Sequence, residues 1–270
     1  MKLKDWLKKE GNGFSDRDLK FLIRDFFSKD INSVLTEDIS IDQKFERRMN
    51  MVLQKYSCGM PMAYILGRED FFGLDFAIDE HCLIPRPETE LITERAIEII
   101  NLNNFDDILD LCCGCGNIAI SIQKTIPRKL NITASDLSKP ALEITKKNAD
   151  TYKVYLRLAE SDLFNEFENE QFDIIVTNPP YVPKQDIKGS LVYEPCLALE
   201  AGEDGLFFIR KIINNAHLHL KDKGFIVMEM GYNQKEAVAG CIKESGLYDI
   251  VDWIKDYSGR WRGVILKVKT

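Results

Sequence analysis

From residue 108 onward the chain alternates short apolar runs with amphipathic stretches, and this alternation narrows the possible folds more than any other feature. Ile108–Leu111, Ile132–Ser135, Val154–Ala159 and Phe172–Thr177 read as strands. Ile118–Ile122, Pro140–Asn148 and Gly205–Leu220 carry helical periodicity, and the last leads into the apolar run Gly224–Met230. A helix near Gln234–Ser245 and strands near Asp249–Ile254 and Gly263–Val268 complete the pattern. Alternating strands and helices build an open α/β sheet, which binds ligands at the carboxyl ends of its strands. No internal repeat or low-complexity segment interrupts it.

The chain before this region follows other rules. Residues from Met1 to about Met60 show helical periodicity only. Leu3, Trp6 and Leu7 share a face, and Ser15 with Asp18 forms a capping box before Leu19, Leu22, Ile23, Phe26 and Phe27. Phe45, Met49, Val52, Leu53 and Tyr56 make a third stripe, with breaks at 11–13 and 36–40. A small all-α domain follows, either a stabilising cap or a docking module for a macromolecule. Between Tyr64 and Ile84, aromatic and branched residues alternate around Gly67 and Gly73, as in a β-hairpin linker. Pro85 and Pro87 then stop regular structure, and Glu88 or Thr89 opens the next helix. The expected division is a helical domain over 1–62, a hairpin linker over 63–86 and an α/β domain over 87–270.

Composition limits the function classes. With 45% hydrophobic and 29% charged residues, the 270-residue chain has an ordinary globular balance. Its 36 basic and 43 acidic residues give a net charge of -7, which argues against phosphate binding as the main source of affinity. No apolar run approaches the ~20 residues that cross a bilayer, and the charged start MKLKDWLKKE lacks the features of a signal peptide. Seven cysteines, three of them crowded at Cys112, Cys113 and Cys115, fit a reducing compartment better than a disulfide framework. The expectation is a soluble cytoplasmic protein without a membrane partner.

The first turn after a strand reads DLCCGCGN, Asp110–Asn117. Gly114 and Gly116 let the backbone approach a ligand, and Asp136, ending the second strand, suits two ribose hydroxyls. The G-x-G-x-x-G spacing of dinucleotide enzymes is absent. Asp110 ahead of the turn instead resembles the D-x-G-x-G-x-G motif of class I S-adenosylmethionine-dependent methyltransferases. That resemblance implies a cofactor set of Asp110, Cys112, Cys113, Gly114, Cys115, Gly116, Asp136, Leu137, Asp162, Leu163 and Asn178. Asp110 would contact the methionine amine, and Asp162 and Leu163 would flank the adenine. Cys112 stands where the motif has its first glycine, which matters only if that position needs a positive φ. No second C-x-x-C or histidine pair completes a tetrahedral set around the cysteines, so no metal is expected. His81, His217 and His219 form no constellation.

The fourth strand ends in TNPPY, Thr177–Tyr181. A planar nitrogen, in a glutamine amide or an adenine, is a poor nucleophile because its lone pair is delocalised. Asn178 can accept one N–H through its side chain and the Pro179 carbonyl can accept the other, aiming the lone pair at a methyl donor. Alignment of this kind contributes up to about 7–11 kcal/mol. Pro179 and Pro180 stiffen the loop, and Tyr181 offers a flat face. The plainer reading is a rigid turn after a strand.

Longer stretches sharpen this. PMAYILGREDFFGLDFAIDEHCLIPRPETELI (61–92), FDIIVTNPPYVP (172–183), YEPCLALEAGEDGLFFIRKII (193–213), EMGYNQ (229–234) and the ending KDYSGRWRGVILKV resemble the release-factor glutamine N5-methyltransferases over essentially the whole chain. The resemblance implies a seven-stranded, Rossmann-like class I methyltransferase sheet joined to the helical domain by the hairpin. It implies methyl transfer from S-adenosyl-L-methionine to the glutamine of the Gly-Gly-Gln motif in class 1 peptide-chain release factors, leaving S-adenosyl-L-homocysteine. Asn178, Pro179, Pro180 and Tyr181 would grip the glutamine amide, and Arg86, Glu88 and Thr89 would lie beside them, unless those three serve only as a proline-stiffened hinge and a helix cap. The helical domain would help dock the release factor, a monomer would suffice, and no direct nucleic-acid contact is expected. Two alternatives stay open: an adenine N6-methyltransferase acting on nucleic acid, and a binding module whose cofactor turn has decayed at Cys112.

Overall fold

In the strand Asp107–Leu111, Ile108 packs into one apolar cluster and Leu109 into another, one on each face of a sheet. The strand Phe172–Thr177 divides likewise, with Ile174 and Val176 on one side and Ile175 on the other. Such two-sided burial explains the continuous apolar runs, because helices cover both faces of a parallel sheet. The computed structural model describes residues 2–27 and 31–269. These fall into two compact units, split between Arg68 and Glu69.

The first unit holds α1 (Leu3–Glu10), α2 (Asp16–Phe27), α3 (Ile31–Thr36), α4 (Gln43–Ser57) and α5 (Met62–Leu66). Leu3, Trp6, Leu22, Ile23, Val34 and Met49 are buried together. Ser15 Oγ accepts from the Asp18 N–H at 3.1 Å and donates to its carboxylate at 2.7 Å, while the Ser15 N–H goes to the Tyr56 hydroxyl at 3.2 Å, so half of the expected capping box forms. The three expected helices are α1, α2 and α4. The added α3 and α5 span six and five residues, too short to show a periodic stripe.

The second unit begins in the hairpin β1 (Arg68–Phe71) and β2 (Leu74–Ala77), whose turn residues Phe72 and Gly73 both have positive φ. Helix α6 (Pro87–Asn103) starts at Pro87 itself, one or two residues before the expected opening. Then follow β3 (Asp107–Leu111), α7 (Asn117–Thr125), β4 (Asn131–Asp136), α8 (Lys139–Tyr152), β5 (Arg157–Glu160) and β6 (Phe172–Thr177). The chain closes with α9 (Phe207–Asn215), β7 (Leu220–Glu229), α10 (Lys235–Ser245), β8 (Tyr248–Lys255) and β9 (Trp261–Val268). The seven-stranded sheet has the order β5-β4-β3-β6-β7-β9-β8, and β9 lies antiparallel to both neighbours.

Two boundaries differ from expectation. The third strand starts at Arg157 instead of Val154, because the Val154 N–H is used to bond Ala149 at the end of α8. The expected helix over 205–220 is observed as α9 continued by a 3₁₀ turn over Ala216–His219. Gly205 has a φ of 74°, and Leu220 already pairs with Phe172, so sheet hydrogen bonds end the helical pattern. Among the described residues, no helix is long and apolar enough to cross a membrane.

The register decides what meets at the carboxyl edge. Leu111 pairs with Ser135 on one side and with Thr177 on the other, while Thr177 pairs with Met228. The glycine turn, Asp136, Asn178 and Glu229 therefore leave adjacent strand ends at one level. Chain order reverses between β3 and β6, the usual place for a ligand crevice in an open sheet.

Candidate active site

Asp110, fully buried, accepts the Ala119 N–H at 2.9 Å through Oδ2 and so holds the start of α7 against β3. Its Oδ1 is buried with no protein partner, and burial pushes the carboxyl up to about 7. Asp136 accepts from Gly114 N–H at 2.8 Å and from Ser138 N–H at 2.9 Å, tying the glycine turn to the end of β4. Its carboxyl too is raised by burial.

The turn needs its glycines unequally. At Gly116, with φ 79°, a Cβ would lie 2.6 Å from Thr145 Cγ2, so both strain and packing exclude a side chain. At Gly114, with φ 55°, a Cβ would meet nothing within 4 Å, because that position borders the cavity. Cys112 has a φ of 63°. The motif's first glycine thus does correspond to a left-handed position here, and cysteine occupies it at a strain of about 1–2 kcal/mol.

A cavity opens along this edge. Cys112, Cys113, Gly114, Cys115, Asp136, Leu137, Asp162, Leu163, Asn178 and Pro180 all line it. Leu137 is 46% exposed and Leu163 turns at a φ of 51°, so an apolar wall and a reshaped backbone face the same space. Asp110 and Gly116 lie behind the lining, and Pro179 and Tyr181 border a smaller cavity with Leu83, Arg86 and Leu191. The cysteines are neutral thiols: burial pushes Cys112 and Cys113 up, as does the contact of Cys115 with Cys82 together with burial. Among the described residues, no group of three His, Cys, Asp or Glu side chains could hold a metal ion.

The loop after β6 is anchored on several sides. Thr177 Oγ1 donates to the Leu111 carbonyl at 2.7 Å. Asn178 Nδ2 donates to Thr89 Oγ1 at 3.2 Å, while Asn178 Oδ1 is buried without a partner at the cavity wall. Thr89, in the first turn of α6, donates to Glu229 Oε2 at 2.6 Å, and the Tyr181 hydroxyl donates to Glu229 Oε1 at 2.9 Å. Tyr181, expected to offer its flat face to a planar group, is thus also pinned by its hydroxyl. Burial pushes Glu229 up to about 7 against these two hydrogen bonds.

Glu229 and Glu194 escaped the sequence reading. Glu229 ends an otherwise apolar strand at the ligand edge, and that isolated carboxylate was the available signal. Glu194, buried, accepts the Ile84 N–H at 3.2 Å and pairs with Arg86, fixing the segment ahead of α6. Nothing local marks it, since its partners lie more than a hundred positions earlier.

A glycine turn, an acid at the next strand end and an asparagine at the fourth, on this strand order, define a class I methyltransferase. Residues 93–198 match the model of the methyltransferase small domain. A methyltransferase from Pyrococcus furiosus superposes with a TM-score of 0.52 at 20% identity, covering 83% of this chain and 98% of that one, a likeness of fold. Release factor glutamine methyltransferase of Clostridium botulinum is 36% identical over 266 residues, 95% of this chain and 93% of its own length. The Clostridium acetobutylicum protein of the same name is 33% identical over 290 aligned positions, 100% of this chain and 99% of its own. The chain belongs to the release factor glutamine methyltransferase family.

Proposed function

We infer that this protein methylates the side-chain amide N5 of the glutamine in the Gly-Gly-Gln motif of class 1 peptide-chain release factors. The observation that carries the reading is Asn178 Oδ1, a buried acceptor with no protein partner at the wall of the cavity. A buried unpaired acceptor costs about 1–3 kcal/mol, which an incoming N–H recovers.

The residues present fit S-adenosyl-L-methionine. Asp136 keeps lone pairs for two ribose hydroxyls beyond its two backbone bonds. Leu137 and Leu163 would wall the adenosine, with Asp162 beside the adenine, and Asp110, behind the lining, would reach the ammonium group through water. Cys112, Cys113, Gly114, Cys115 and Gly116 shape the turn around the methionine end. Bound there, the cofactor supplies an electrophilic methyl and leaves as S-adenosyl-L-homocysteine.

Asn178 Oδ1 and the Pro179 carbonyl accept the two amide hydrogens of the glutamine, which turns the nitrogen lone pair toward the methyl. Pro180 and Tyr181 keep that loop stiff. One N–H proton passes to solvent as the new N–C bond completes, so no strong base is required. The helical unit, read as residues 1–62, docks the release factor, with 63–86 as linker and 87–270 as catalytic domain. The protein acts as a cytoplasmic monomer without metal, membrane or direct nucleic-acid contact. Adenine N6-methylation gains no support from the relatives, which are named for a release factor glutamine.

The test is mass spectrometry of a class 1 release factor incubated with this protein and S-adenosyl-L-methionine. One added methyl on the Gly-Gly-Gln glutamine, absent with Asn178→Ala, is expected. An unmodified factor beside an active control enzyme would overturn the reading.

A further inference from the structure

An asparagine amide is useful at Asn178 only if its oxygen, and not its nitrogen, faces the substrate. Rotation by half a turn about the terminal bond exchanges the two, and the shapes are nearly identical. Thr89 stands 3.2 Å from Asn178 Nδ2 and 2.6 Å from Glu229 Oε2. A threonine hydroxyl has one proton and two lone pairs. An ionised carboxylate only accepts, so Glu229 takes the Thr89 proton and leaves Thr89 Oγ1 as an acceptor. Asn178 can satisfy that acceptor only with its NH₂, which turns Oδ1 to the cavity.

We propose that Thr89 and Glu229 are positioning residues that hold the Asn178 amide in the orientation able to accept the substrate N–H. The inference rests on the glutamine reading given above. Tyr181 completes the arrangement by donating to the other Glu229 oxygen at 2.9 Å, which fixes the carboxylate plane. With Glu229 protonated, the order reverses: its proton goes to Thr89, and the Thr89 proton then goes to Asn178 Oδ1 with the amide turned round. The groups acting on Glu229 are Thr89 and Glu88 from α6, Tyr181 from the loop after β6 and Arg262 from β9. Burial and the Glu88 charge favour the proton; Arg262, Thr89 and Tyr181 oppose it.

The test compares Thr89→Val, Thr89→Ser and Glu229→Gln with the unaltered enzyme, measuring kcat, KM for the release factor, cofactor affinity and the pH profile. Thr89→Val keeps the shape and loses the hydroxyl, and kcat is expected to fall roughly 10- to 100-fold with cofactor affinity unchanged. Thr89→Ser restores it. Glu229→Gln loses the limb of kcat that rises with pH through about 7 in the unaltered enzyme. Unaltered kcat in both Thr89→Val and Glu229→Gln, with Asn178→Ala inactive, overturns the positioning role alone. Retained turnover in Asn178→Ala overturns the underlying reading instead.

Discussion

Gln234 donates its side-chain amide to the main-chain carbonyl of Tyr181 at 3.0 Å, joining the start of α10 to the loop after β6. The same amide reaches the Gly205 carbonyl at 3.2 Å, and its oxygen accepts the Gly231 N–H at 2.8 Å. Val182 bonds Leu199 and Ala201 from the other side. The stiffness of the N-P-P-Y loop therefore comes from three distant segments as well as from its prolines.

Gly205 tests that clamp. Its φ is 74°, and a Cβ there would sit 2.4 Å from the Tyr181 carbonyl oxygen and 2.6 Å from Gln234 Nε2. Gly205→Ala is expected to cost several kcal/mol in urea unfolding and to lower kcat by displacing Asn178. Gln234→Ala, which only unpairs the Gly231 N–H and its carbonyl partners, is expected to cost about 1–3 kcal/mol.

Cys112 occupies a left-handed position, so its replacements differ in effect. Cys112→Gly removes the strain and is expected to leave stability within about 1 kcal/mol, since glycine loses more chain entropy on folding. Cys112→Val, β-branched at φ 63°, is expected to lower the melting temperature and cofactor affinity together. Thermal unfolding with and without S-adenosyl-L-methionine separates these outcomes.

The clash foreseen at Gly116 is with one methyl group, and this gives a rescue. Gly116→Ala is expected to destabilise by more than the ~1–2 kcal/mol of backbone strain alone. Thr145→Ser removes the Cγ2 that a Cβ at 116 would meet at 2.6 Å while keeping the hydroxyl bond to the Gly114 carbonyl at 2.8 Å. The double variant should recover the packing part of the loss and retain the strain.

Asp110 gives the ligand-free protein a pH dependence of definite sign. Its carboxyl ionises at about 7 in the folded chain and near 3.8 ordinarily, so the folded state binds the proton more tightly. Stability contributed by that proton is complete below about 4, declines as pH rises and is gone above about 7. Asp110→Asn should flatten the fall in melting temperature between pH 5 and 8. An unchanged slope would mean that Asp110 is already ionised at pH 5.

Asp136 and Asn178 should separate binding from turnover. Asp136→Ala removes the acceptor placed for the ribose and is expected to weaken cofactor affinity, with kcat recovering at saturation. Asn178→Ala should do the reverse, abolishing turnover with the cofactor dissociation constant little changed. Calorimetry beside single-turnover methylation checks both, and equal losses in both variants would point to misfolding.

Much of this was legible in the residues. The apolar runs of β3 and β6 and the acid ending β4 are local patterns, because strand periodicity and turn chemistry are set by neighbours in sequence. The positions of Asp110, Gly114, Gly116, Asp136 and Asn178 could be read for that reason. The helix expected over 205–220 is present as α9 and the 3₁₀ turn that follows it, and only its ends differ, since Gly205 is left-handed and Leu220 pairs with Phe172 in the sheet.

Which way the Asn178 amide points was not legible, nor that Glu229 and Thr89 stand behind it, nor that Glu194 holds Arg86. These contacts join residues 89, 140 and 108 positions apart. Sequence determined the elements, the turn that needs glycine and the asparagine at the strand end. Tertiary structure alone decided the hydrogen-bond order at the site, because a buried carboxylate takes its partners from whatever the sheet register brings beside it.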